Sequence, residues 1–362
     1  MDTLLRFIHE TFAARVVFGA GAFELLGTEV ARTGTHALVL SSSGQRPLAE
    51  RAAALLGSQC VGIFDGAVMH VPGDTAALAC AAATRLRADC CIATGGGSTV
   101  GLAKAIALEL NLPIVAVPTT YAGSEMTPIW GLTQGGVKRT GRDPRVLPRT
   151  VIYDPLLTLD LPPGVSGTSG VNAIAHCVEG LYSEAANPLI SLMAEEGIRA
   201  LGRSLPRIVR DPHDLEARAD ALYGAWLGGA VLGAVGMALH HKLCHVLGGT
   251  FNLPHAQTHT IVLPHVAAYN AAAAPAAMRR VAAALGADDA AQGLFDLAVA
   301  LGAPTRLQDI GMPEEGLDRA ASLATMQPYY NPAPLRADMI RKLLGDAYEG
   351  RRPQRPPGEA PT

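Results

Sequence analysis

The sequence lacks an excess of charge of either sign, and it lacks a long apolar run. With 29 Lys and Arg against 32 Asp and Glu, its formal net charge of −3 gives no electrostatic reason to expect a nucleic acid or an anionic membrane as a partner. No run of about 18 or more apolar residues occurs, so no transmembrane helix is predicted. The N-terminal segment MDTLLRFIHETF carries acidic residues and no apolar core, which argues against a secretory signal. We therefore expect a cytoplasmic protein.

Cysteine is scarce, and its pattern does not indicate a zinc site. The six cysteines show no zinc-type spacing and mostly lie in apolar runs, as reduced, buried thiols do. No internal repeat is evident. At 362 residues, of which 49% are hydrophobic and 17% charged, the chain is long enough for two domains with substantial cores.

The first part of the chain alternates between short apolar runs and helical patterns. Strands are expected at 16–18, 36–42, 60–65, 90–98, 113–120 and 150–154, and helical segments at 23–33, 48–57 and 74–88. Apolar strands separated by helices predict a parallel sheet covered on both faces, in a Rossmann-like α/β dinucleotide-binding domain over 1–155. The later pattern predicts an all-α catalytic domain over 156–350. Residues 351–362 have the Pro-rich, charged composition of a disordered tail.

A glycine-rich turn is the first chemical feature. The sequence GGGST directly follows an apolar strand and precedes a helix, an order that lets backbone N–H groups face a phosphate. It is neither GxGxxG nor a P-loop, and a tight turn without a ligand also uses glycine. The next strand ends in threonines, at the edge where open α/β sheets bind ligands. The predicted dinucleotide-binding residues are Gly95, Gly96, Gly97, Ser98, Thr99, Thr119 and Thr120. Either Ser98 or Thr99 is expected to cap the helix.

The second feature is a set of spaced histidines. Six of the eleven histidines lie between 240 and 265. His241 and His245 are four apart and share one helical face, and Asn172 and His176 repeat that spacing. His255 follows Pro254, where a new segment can begin. Because these residues form two spaced pairs with one further histidine, they are expected to line one site. Histidine suits both metal binding and proton transfer. His259 either lines the same pocket or faces solvent, and His240 and His265 are weaker candidates.

Three segments carry a resemblance to a known family. GGGSTVGLAK, PTTYAGSEMT and HHKLCHVLGGTFNLPHAQTH resemble the iron-containing (group III) alcohol dehydrogenase family over nearly the whole chain. The resemblance implies a dehydroquinate synthase-like architecture, a cleft between the domains and a homodimer. Segments 129–155, 169–183 and 236–249 match best a branch of the family that reduces the carbon–carbon double bond of an unsaturated oxo-dicarboxylate with NADH or NADPH. That reaction belongs to bacterial breakdown of aromatic compounds.

One departure from the family concerns its metal. Metal-dependent members bind a divalent ion through one Asp and three His, at positions that match Asn172, His176, His241 and His255. Asn172 replaces the only anionic ligand, so three imidazoles and an amide leave the charge of an ion uncompensated. We therefore hypothesise an enzyme that works without a metal. The alternative is that Asn172 still coordinates through its amide oxygen, in a metal-dependent alcohol or aldehyde dehydrogenase of the same fold.

The reaction of this branch suggests roles for the polar residues. Hydride addition to the alkene develops negative charge on an enolate oxygen, and a proton must reach the neighbouring carbon. His241 and His245 are the candidates for hydrogen-bond donor and general acid, with the two roles unassigned. Without a metal, His176 and His255 can be protonated and help to hold a dianionic substrate. The candidates for binding the dicarboxylate substrate are Asn172, His176, His255, Lys242 and Lys138, with Arg139 and Arg142 in addition.

Two further departures concern the cofactor. Gly101 stands where the family pattern GGGSxxDxAK has an acidic residue. Ser42 stands at the end of the second strand, where NAD-specific relatives carry Asp. Without that carboxylate, and with Ser43 and Arg46 close by, NADPH is expected to be tolerated alongside NADH. A non-catalytic dinucleotide sensor is a third possibility, but a sensor has no need of a proton donor.

Overall fold

The computed structural model describes residues 7, 9, 14–134 and 137–354, apart from the side chains of Val137 and Lys138. Within this part the chain forms two compact units: residues 14–161 form the first, and residues 162–354 together with residues 7 and 9 form the second. Residues 355–362 of the predicted tail lie outside the described residues.

The first unit is built on a six-stranded parallel sheet with an additional antiparallel hairpin. Its strands are β1 (Arg15–Phe18), β2 (Ala37–Leu40), β3 (Cys60–Phe64), β4 (Cys90–Gly95), β5 (Ile114–Pro118), β6 (Ile129–Gln134), β7 (Val137–Arg142) and β8 (Thr150–Tyr153). Its α-helices are α1 (Leu26–Ala31), α2 (Arg46–Leu56), α3 (Gly73–Arg85) and α4 (Gly97–Leu110).

The strands of the parallel sheet are apolar on both faces. In β2, Leu38 and Leu40 pack into one core with α3 and α4, whereas Ala37 and Val39 pack into another with α1 and α2. Successive side chains of a strand point to opposite faces, so a strand buried on both faces forms a continuous apolar run. The predicted parallel sheet with helices on both faces is confirmed.

The strand order β1-β8-β5-β4-β2-β3 contains a switch point between β2 and β4. From β2 the chain moves to β3 on one side, whereas from β4 it moves to β5 on the other. In open parallel sheets, ligands bind at the carboxyl ends of the strands beside such a point. The residues that follow β2 and β4 are therefore well placed for a ligand.

The hairpin of β6 and β7 was not predicted. The two strands pair from Ile129 opposite Arg142 to Gln134 opposite Val137. A side chain at Gly141 would come within 2.7 Å of the Trp130 ring, so the hairpin needs a glycine there. Its second strand, VKRTGR, is mostly polar, and a search for apolar runs therefore misses it.

Lys104 of α4 fixes the segment that leads into this hairpin. Its Nζ donates to the carbonyl oxygens of Ser124 (2.7 Å), Thr127 (2.8 Å) and Ile129 (2.7 Å). The residue is 1% exposed, and these acceptors compensate for burial of its charge. Lys104 thus ties the helix after the glycine turn to the start of β6.

The second unit is helical, and no strand occurs among its described residues. Its helices are α5 (Pro163–Tyr182), α6 (Pro188–Arg210), α7 (Leu215–Ala234), α8 (Leu239–Phe251), α9 (His255–Asn270), α10 (Pro275–Leu285), α11 (Ala290–Ala300), α12 (Leu317–Thr325) and α13 (Ala337–Glu349). The predicted α/β plus all-α fold class is confirmed. In the described part no single helix is long and apolar enough to cross a membrane; only α7 and α8 together, bent by 96°, meet the requirement by length and composition.

Helix α5 is the central element of this unit. It packs against α6, α7 and α9, and every residue from Ser166 to Tyr182 is buried. A helix buried on all sides is ordinarily apolar throughout. This one nevertheless carries Asn172, His176 and Glu179, which lie at spacings of four and three and therefore on one face. Polar groups on the face of a buried helix call for specific partners.

Candidate active site

The predicted dinucleotide-binding residues lie at one edge of the sheet. Strands β2, β4 and β5 are neighbours in a parallel array, so their carboxyl ends meet at the same edge. Ser42 follows β2, Gly95 ends β4 and Thr119 follows β5. The N–H of Thr119 donates to the carbonyl oxygen of Gly95 at 3.1 Å, and Nε2 of Gln45 donates to Thr119 Oγ1 at 2.8 Å. The structure thus brings together residues that are far apart in sequence.

The glycine turn is shaped by close contacts. Gly95 has a φ of +149°, and an added Cβ would lie 2.5 Å from Gln45 Oε1 and 2.6 Å from Thr99 Oγ1. At Gly96 an added Cβ would lie 3.0 Å from Thr120 Cγ2. Only a residue without a side chain fits these positions unchanged.

Helix α4 begins at Gly97, and no side chain caps its N-terminus. The expectation that Ser98 or Thr99 caps the helix is therefore wrong, because both residues already lie in its first turn. Thr99 is 1% exposed and points inward, whereas Gly97 is exposed and Ser98 half-buried. Uncapped N–H groups at a helix start suit an anion such as a dinucleotide phosphate.

Arg46, the expected partner for a 2′-phosphate, already has carboxylate partners. Its Nη1 donates to Asp65 Oδ2 at 2.7 Å, and its Nε donates to Glu50 Oε1 at 3.0 Å. Asp65 directly follows β3. The bond with Arg46 lowers the pKa of Asp65, so this carboxylate stays ionised near neutral pH. Its charge offsets part of the attraction that Arg46 offers to a phosphate.

The predicted histidines converge in the helical unit. His176 lies on α5, His241 and His245 on α8, and His255 begins α9. Ring centroids are 5.1 Å apart for His176 and His241, 6.4 Å for His241 and His245, and 6.5 Å for His245 and His255. The two four-residue spacings therefore do place these rings in one group. Together with His240 and His259, we call these rings the histidine cluster.

The weaker candidates His240 and His259 form the innermost part of the cluster. His240 Nε2 and His259 Nδ1 share a hydrogen bond of 2.9 Å, and Cys244 Sγ lies 3.7 Å from the same His240 nitrogen. The His259 ring is 4.4 Å from that of His255 and 4.8 Å from that of His241. His259 therefore lines the cluster rather than facing solvent.

Exposure varies steeply across the cluster. His245 is exposed and His255 half-buried. By contrast, His176 is 3% exposed and His241 6%. In the described part of the chain, His176 Nδ1, His241 Nε2 and Asn172 Oδ1 are buried without a hydrogen-bond partner. Such atoms are candidates for contact with a polar ligand, and His245 lies at the accessible side.

Glu179 is a functional candidate that sequence reasoning missed. It is fully buried on α5, and its Oε2 lies 2.6 Å from Nδ1 of His241. The backbone N–H groups of Ala238 and His240 also donate to this carboxylate, at 3.1 and 2.8 Å. The Glu179 carboxylate thus contacts the histidine cluster through Nδ1 of His241. Its position seven residues after Asn172, on the same helical face, is the signal that could have revealed it.

The rings of His176, His240 and His259 are neutral near neutral pH. Burial, and to a lesser extent the neighbouring His241 and His255, lowers the pKa of His176 well below its ordinary value. Burial is also the main cause that lowers the pKa values of His240 and His259. Protonation of His176 is therefore disfavoured in the free protein, because a cation there would lose its hydration. His176 can still serve as a neutral hydrogen-bonding group.

The cationic candidates for substrate binding are dispersed. Lys242 lies on α8, half-buried, with Nζ 5.8 Å from the centroid of the Tyr329 ring. Arg139 and Arg142 are exposed on β7 of the first unit. The side chain of Lys138, on the same strand, lies outside the described part of the structure. Of these candidates, the structure associates only Lys242 with a helix of the histidine cluster.

A divalent ion requires ligand atoms gathered around one point. In the described part of the chain, only His240, Cys244 and His259 form a group of three or more His, Cys, Asp or Glu whose ligand atoms all lie within 4.8 Å of one another. Two of these rings already share a hydrogen bond. This group is also not the set of positions that matches the metal ligands of the family.

The matching positions do not fit such an ion. The imidazoles of His176, His241 and His255 are not gathered within that distance, and Asn172 adds an amide without charge. The one carboxylate nearby, Glu179, contacts the far side of the His241 ring. A divalent ion here would lack a directly bound anion.

Two family comparisons identify the class of protein. The family model described as "Iron-containing alcohol dehydrogenase" matches residues 13–155, and that described as "Fe-containing alcohol dehydrogenase family, C-terminal" matches residues 166–348. The chain belongs to the iron-containing alcohol dehydrogenase family, and it is an oxidoreductase.

Individual relatives show which branch of the family the chain resembles. The maleylacetate reductase of Burkholderia cepacia is 60% identical over 348 residues, which cover 96% of this chain and 99% of that protein. The maleylacetate reductase of Sphingobium indicum is 57% identical over 346 residues, covering 96% and 98%. The crystal structure of maleylacetate reductase from Rhizobium sp. strain MTP-10005 has 50% identity and a TM-score of 0.93, covering 97% and 100%. The family and the branch that the sequence resembles are confirmed.

Proposed function

We propose that the protein reduces the carbon–carbon double bond of 2-maleylacetate to give 3-oxoadipate, with NADH or NADPH as reductant. The similarity to maleylacetate reductases over 96% of the chain supports this substrate. The observation that carries the chemistry is a histidine cluster with an exposed imidazole, His245, beside Asn172, an uncharged amide at the one position where metal-dependent members of the family carry an acid. That arrangement favours proton transfer over polarisation by an ion.

The first unit is proposed to hold the cofactor. The uncapped start of α4 offers backbone N–H groups that would face a phosphate, and Gly95 and Gly96 place no side chains there. Hydroxyl groups of Ser98, Thr119 and Thr120 are the proposed polar contacts around it. When bound, the reduced nicotinamide supplies the hydride. Because Ser42 carries no charge, we expect a ribose 2′-phosphate to be tolerated.

The second unit is proposed to complete the reduction. The hydride forms a bond to one alkene carbon, the alkene electron pair moves toward the ketone, and negative charge develops on the enolate oxygen. Hydrogen-bond donors stabilise that charge. A proton then goes to the neighbouring carbon, so one hydride and one proton are consumed. His245 is placed to supply the proton because it is the exposed ring of the cluster.

Polar residues within and beside the histidine cluster are proposed to bind the dicarboxylate. Asn172 and His176 offer neutral polar groups, and His255 and Lys242 add groups at less buried positions. We propose that no metal takes part, since the residues at the family's ligand positions do not fit one. By the family resemblance we also expect a homodimer, and from the cysteine pattern we expect a cytoplasmic protein.

Substrate specificity tests this proposal. NADH oxidation would be followed with maleylacetate in the absence of metal, and with a panel of simple alcohols and aldehydes in the presence of added iron or zinc. We expect turnover with maleylacetate alone. Turnover only with the alcohols or aldehydes and metal would instead indicate a metal-dependent dehydrogenase. NADH binding without turnover of any substrate would indicate a sensor.

A further inference from the structure

We infer that Glu179 is a positioning residue that holds the ring of His241 with its proton on Nδ1, so that Nε2 is presented to the site as a hydrogen-bond acceptor. The inference rests on the proposed function, because it assigns roles within that reaction. It also divides the tasks of His241 and His245, which the sequence leaves unassigned.

The contacts of Glu179 fix the direction of the hydrogen bond. Its Oε1 accepts from the N–H of His240 (2.8 Å) and the hydroxyl of Tyr182 (3.4 Å), and its Oε2 accepts from the N–H of Ala238 (3.1 Å). A backbone N–H can only donate, so both oxygens are acceptors. Taking Glu179 as a carboxylate that only accepts, we infer that Nδ1 of His241, 2.6 Å from Oε2, is the donor.

The proton on Nδ1 of His241 determines the state of the second ring nitrogen, Nε2. A neutral imidazole with its proton on Nδ1 has a lone pair on Nε2. In the described structure Nε2 of His241 is buried without a partner, as is Oδ1 of Asn172 on the facing helix. A neutral His241 therefore cannot donate a hydrogen bond to the enolate oxygen. It can accept one and so orient a proton-bearing group, which leaves donation to the exposed His245.

The same carboxylate also supports the start of α8. Ala238 precedes this helix, no side chain of its own segment caps it, and its first N–H groups point to Glu179. A carboxylate at a helix N-terminus is favourable for the helix dipole. Replacing Glu179 can therefore affect both the fold and the ring of His241, and the experiment must separate the two effects.

The variant Glu179→Gln tests the positioning role with little change in shape. In this variant the amide NH2 group replaces one of the two carboxylate oxygens, so it must face the donors that this oxygen had accepted from. These are His241 Nδ1 and the N–H of Ala238 on one side, or the N–H of His240 and the hydroxyl of Tyr182 on the other. If that group faces His241, the ring proton moves to Nε2 and the acceptor is lost. We expect kcat to fall by about 10²- to 10⁴-fold, by analogy with the loss of an orienting carboxylate behind a catalytic histidine. The Kd for NADH is expected to stay unchanged. Tyr182→Phe removes the longest contact to the same carboxylate, and kcat should stay within about twofold because a hydrogen bond of 3.4 Å is weak.

The same substitution in an enzyme that already carries His241→Ala separates a positioning role of Glu179 from a role in folding. If Glu179 acts through the ring, Glu179→Gln should cause no further loss of kcat in a His241→Ala enzyme. A purely structural role would give the same fold loss in both backgrounds, and that result would overturn the inference. A wild-type kcat for Glu179→Gln would also overturn it.

Nitrogen-15 NMR of histidine-labelled protein reads the tautomer without turnover. We expect the Nδ1–H form of His241 in the wild type and the Nε2–H form in Glu179→Gln. An Nε2–H ring in the wild type would overturn the inference even if the variant failed to fold. If the wild-type protein does not reduce maleylacetate, the proposed function fails, while this spectrum still tests the hydrogen bond.

Discussion

The backbone N–H of Thr119 donates to the carbonyl oxygen of Gly95 across 3.1 Å, which joins the ends of β5 and β4. Gly95 stands at the switch point of the sheet, with a φ of +149° and two polar side chains within 2.6 Å of the place where a Cβ would stand. The conformation of the glycine turn is therefore fixed by its neighbours before any cofactor binds.

Gly95→Ala should disrupt the turn. Its Cβ would come within 2.5 Å of Gln45 Oε1 and 2.6 Å of Thr99 Oγ1, and alanine disfavours this φ. We expect a loss of about 1–3 kcal/mol in the free energy of unfolding and at least a tenfold rise in the Kd for NADH. Chemical denaturation and NADH fluorescence measure these two quantities.

Gly97→Ala is the matched control for stability. Its nearest neighbour would be the Cβ of Ala122 at 3.7 Å, an ordinary contact, so the free energy of unfolding should not fall. Weaker NADH binding in this variant would then reflect contact with the cofactor. Unchanged stability and NADH affinity in Gly95→Ala would contradict our account of the turn.

His245→Ala should remove the proton donor. We expect kcat with maleylacetate to fall by about 10²- to 10⁴-fold, because protonation of the carbon would depend on water. The Kd for NADH should not change, since the proposed cofactor residues lie in the other unit. The control His213→Ala replaces an exposed histidine outside the cluster and should leave kcat unchanged. Loss of both kcat and NADH binding in His245→Ala would show that its role is misassigned.

Burial of His265 should make the protein less stable in acid. Burial lowers its pKa to about 4, below the ordinary 6.5 expected for the unfolded chain. As the pH falls from about 6.5 to 4, the unfolded state binds a proton that the folded state does not. The free energy of unfolding therefore falls, by up to about 3 kcal/mol.

His265→Leu should remove this dependence. Between pH 4.5 and 6, the slope of unfolding free energy against pH is expected to decrease by about 1.4 kcal/mol per pH unit, as measured by urea denaturation. At pH 8 the wild-type ring is neutral in both states, so the difference measured there reports packing alone. An unaltered slope would mean that the buried ring takes up a proton readily.

Ser42→Asp should restrict the cofactor. Its carboxylate would repel a 2′-phosphate and accept a hydrogen bond from a 2′-hydroxyl. We expect kcat/KM with NADPH to fall by at least about a hundredfold, while kcat/KM with NADH changes little. Ser58→Asp adds the same charge at an exposed site before β3 and should change neither value. A wild-type preference for NADH of about a hundredfold or more would contradict the expected use of NADPH.

Much of the fold could be predicted from the sequence, because its strands are buried on both faces. The runs around Leu38 and Ile92 are apolar throughout, which is typical of a parallel sheet between helices. The hairpin at Ile129–Arg142 could not be found in the same way. Its second strand is polar, and its pairing depends on Gly141 fitting beside Trp130.

The parts of the site that depend on helical spacing within one helix were predicted from the sequence. The parts that depend on packing between helices were missed. Helical spacing placed His241 beside His245, and Asn172 beside His176. The hydrogen bond between His240 and His259 joins two helices, and nothing in a linear sequence sets that distance. Glu179 was missed because a single acid in a helix ordinarily faces solvent, and only the packing around α5 shows that it is buried.

The central claim is that Asn172 and its neighbouring imidazoles act without an ion. The direct test is NADH oxidation with maleylacetate by protein treated exhaustively with chelator, with iron and zinc measured on the same sample. We expect full activity with far less than one metal ion per chain. Asn172→Asp, which restores an anionic group, should bind zinc at least about tenfold more tightly and serves as a positive control. Stoichiometric iron or zinc in the wild-type protein, with activity lost on its removal and restored by its return, would contradict the claim.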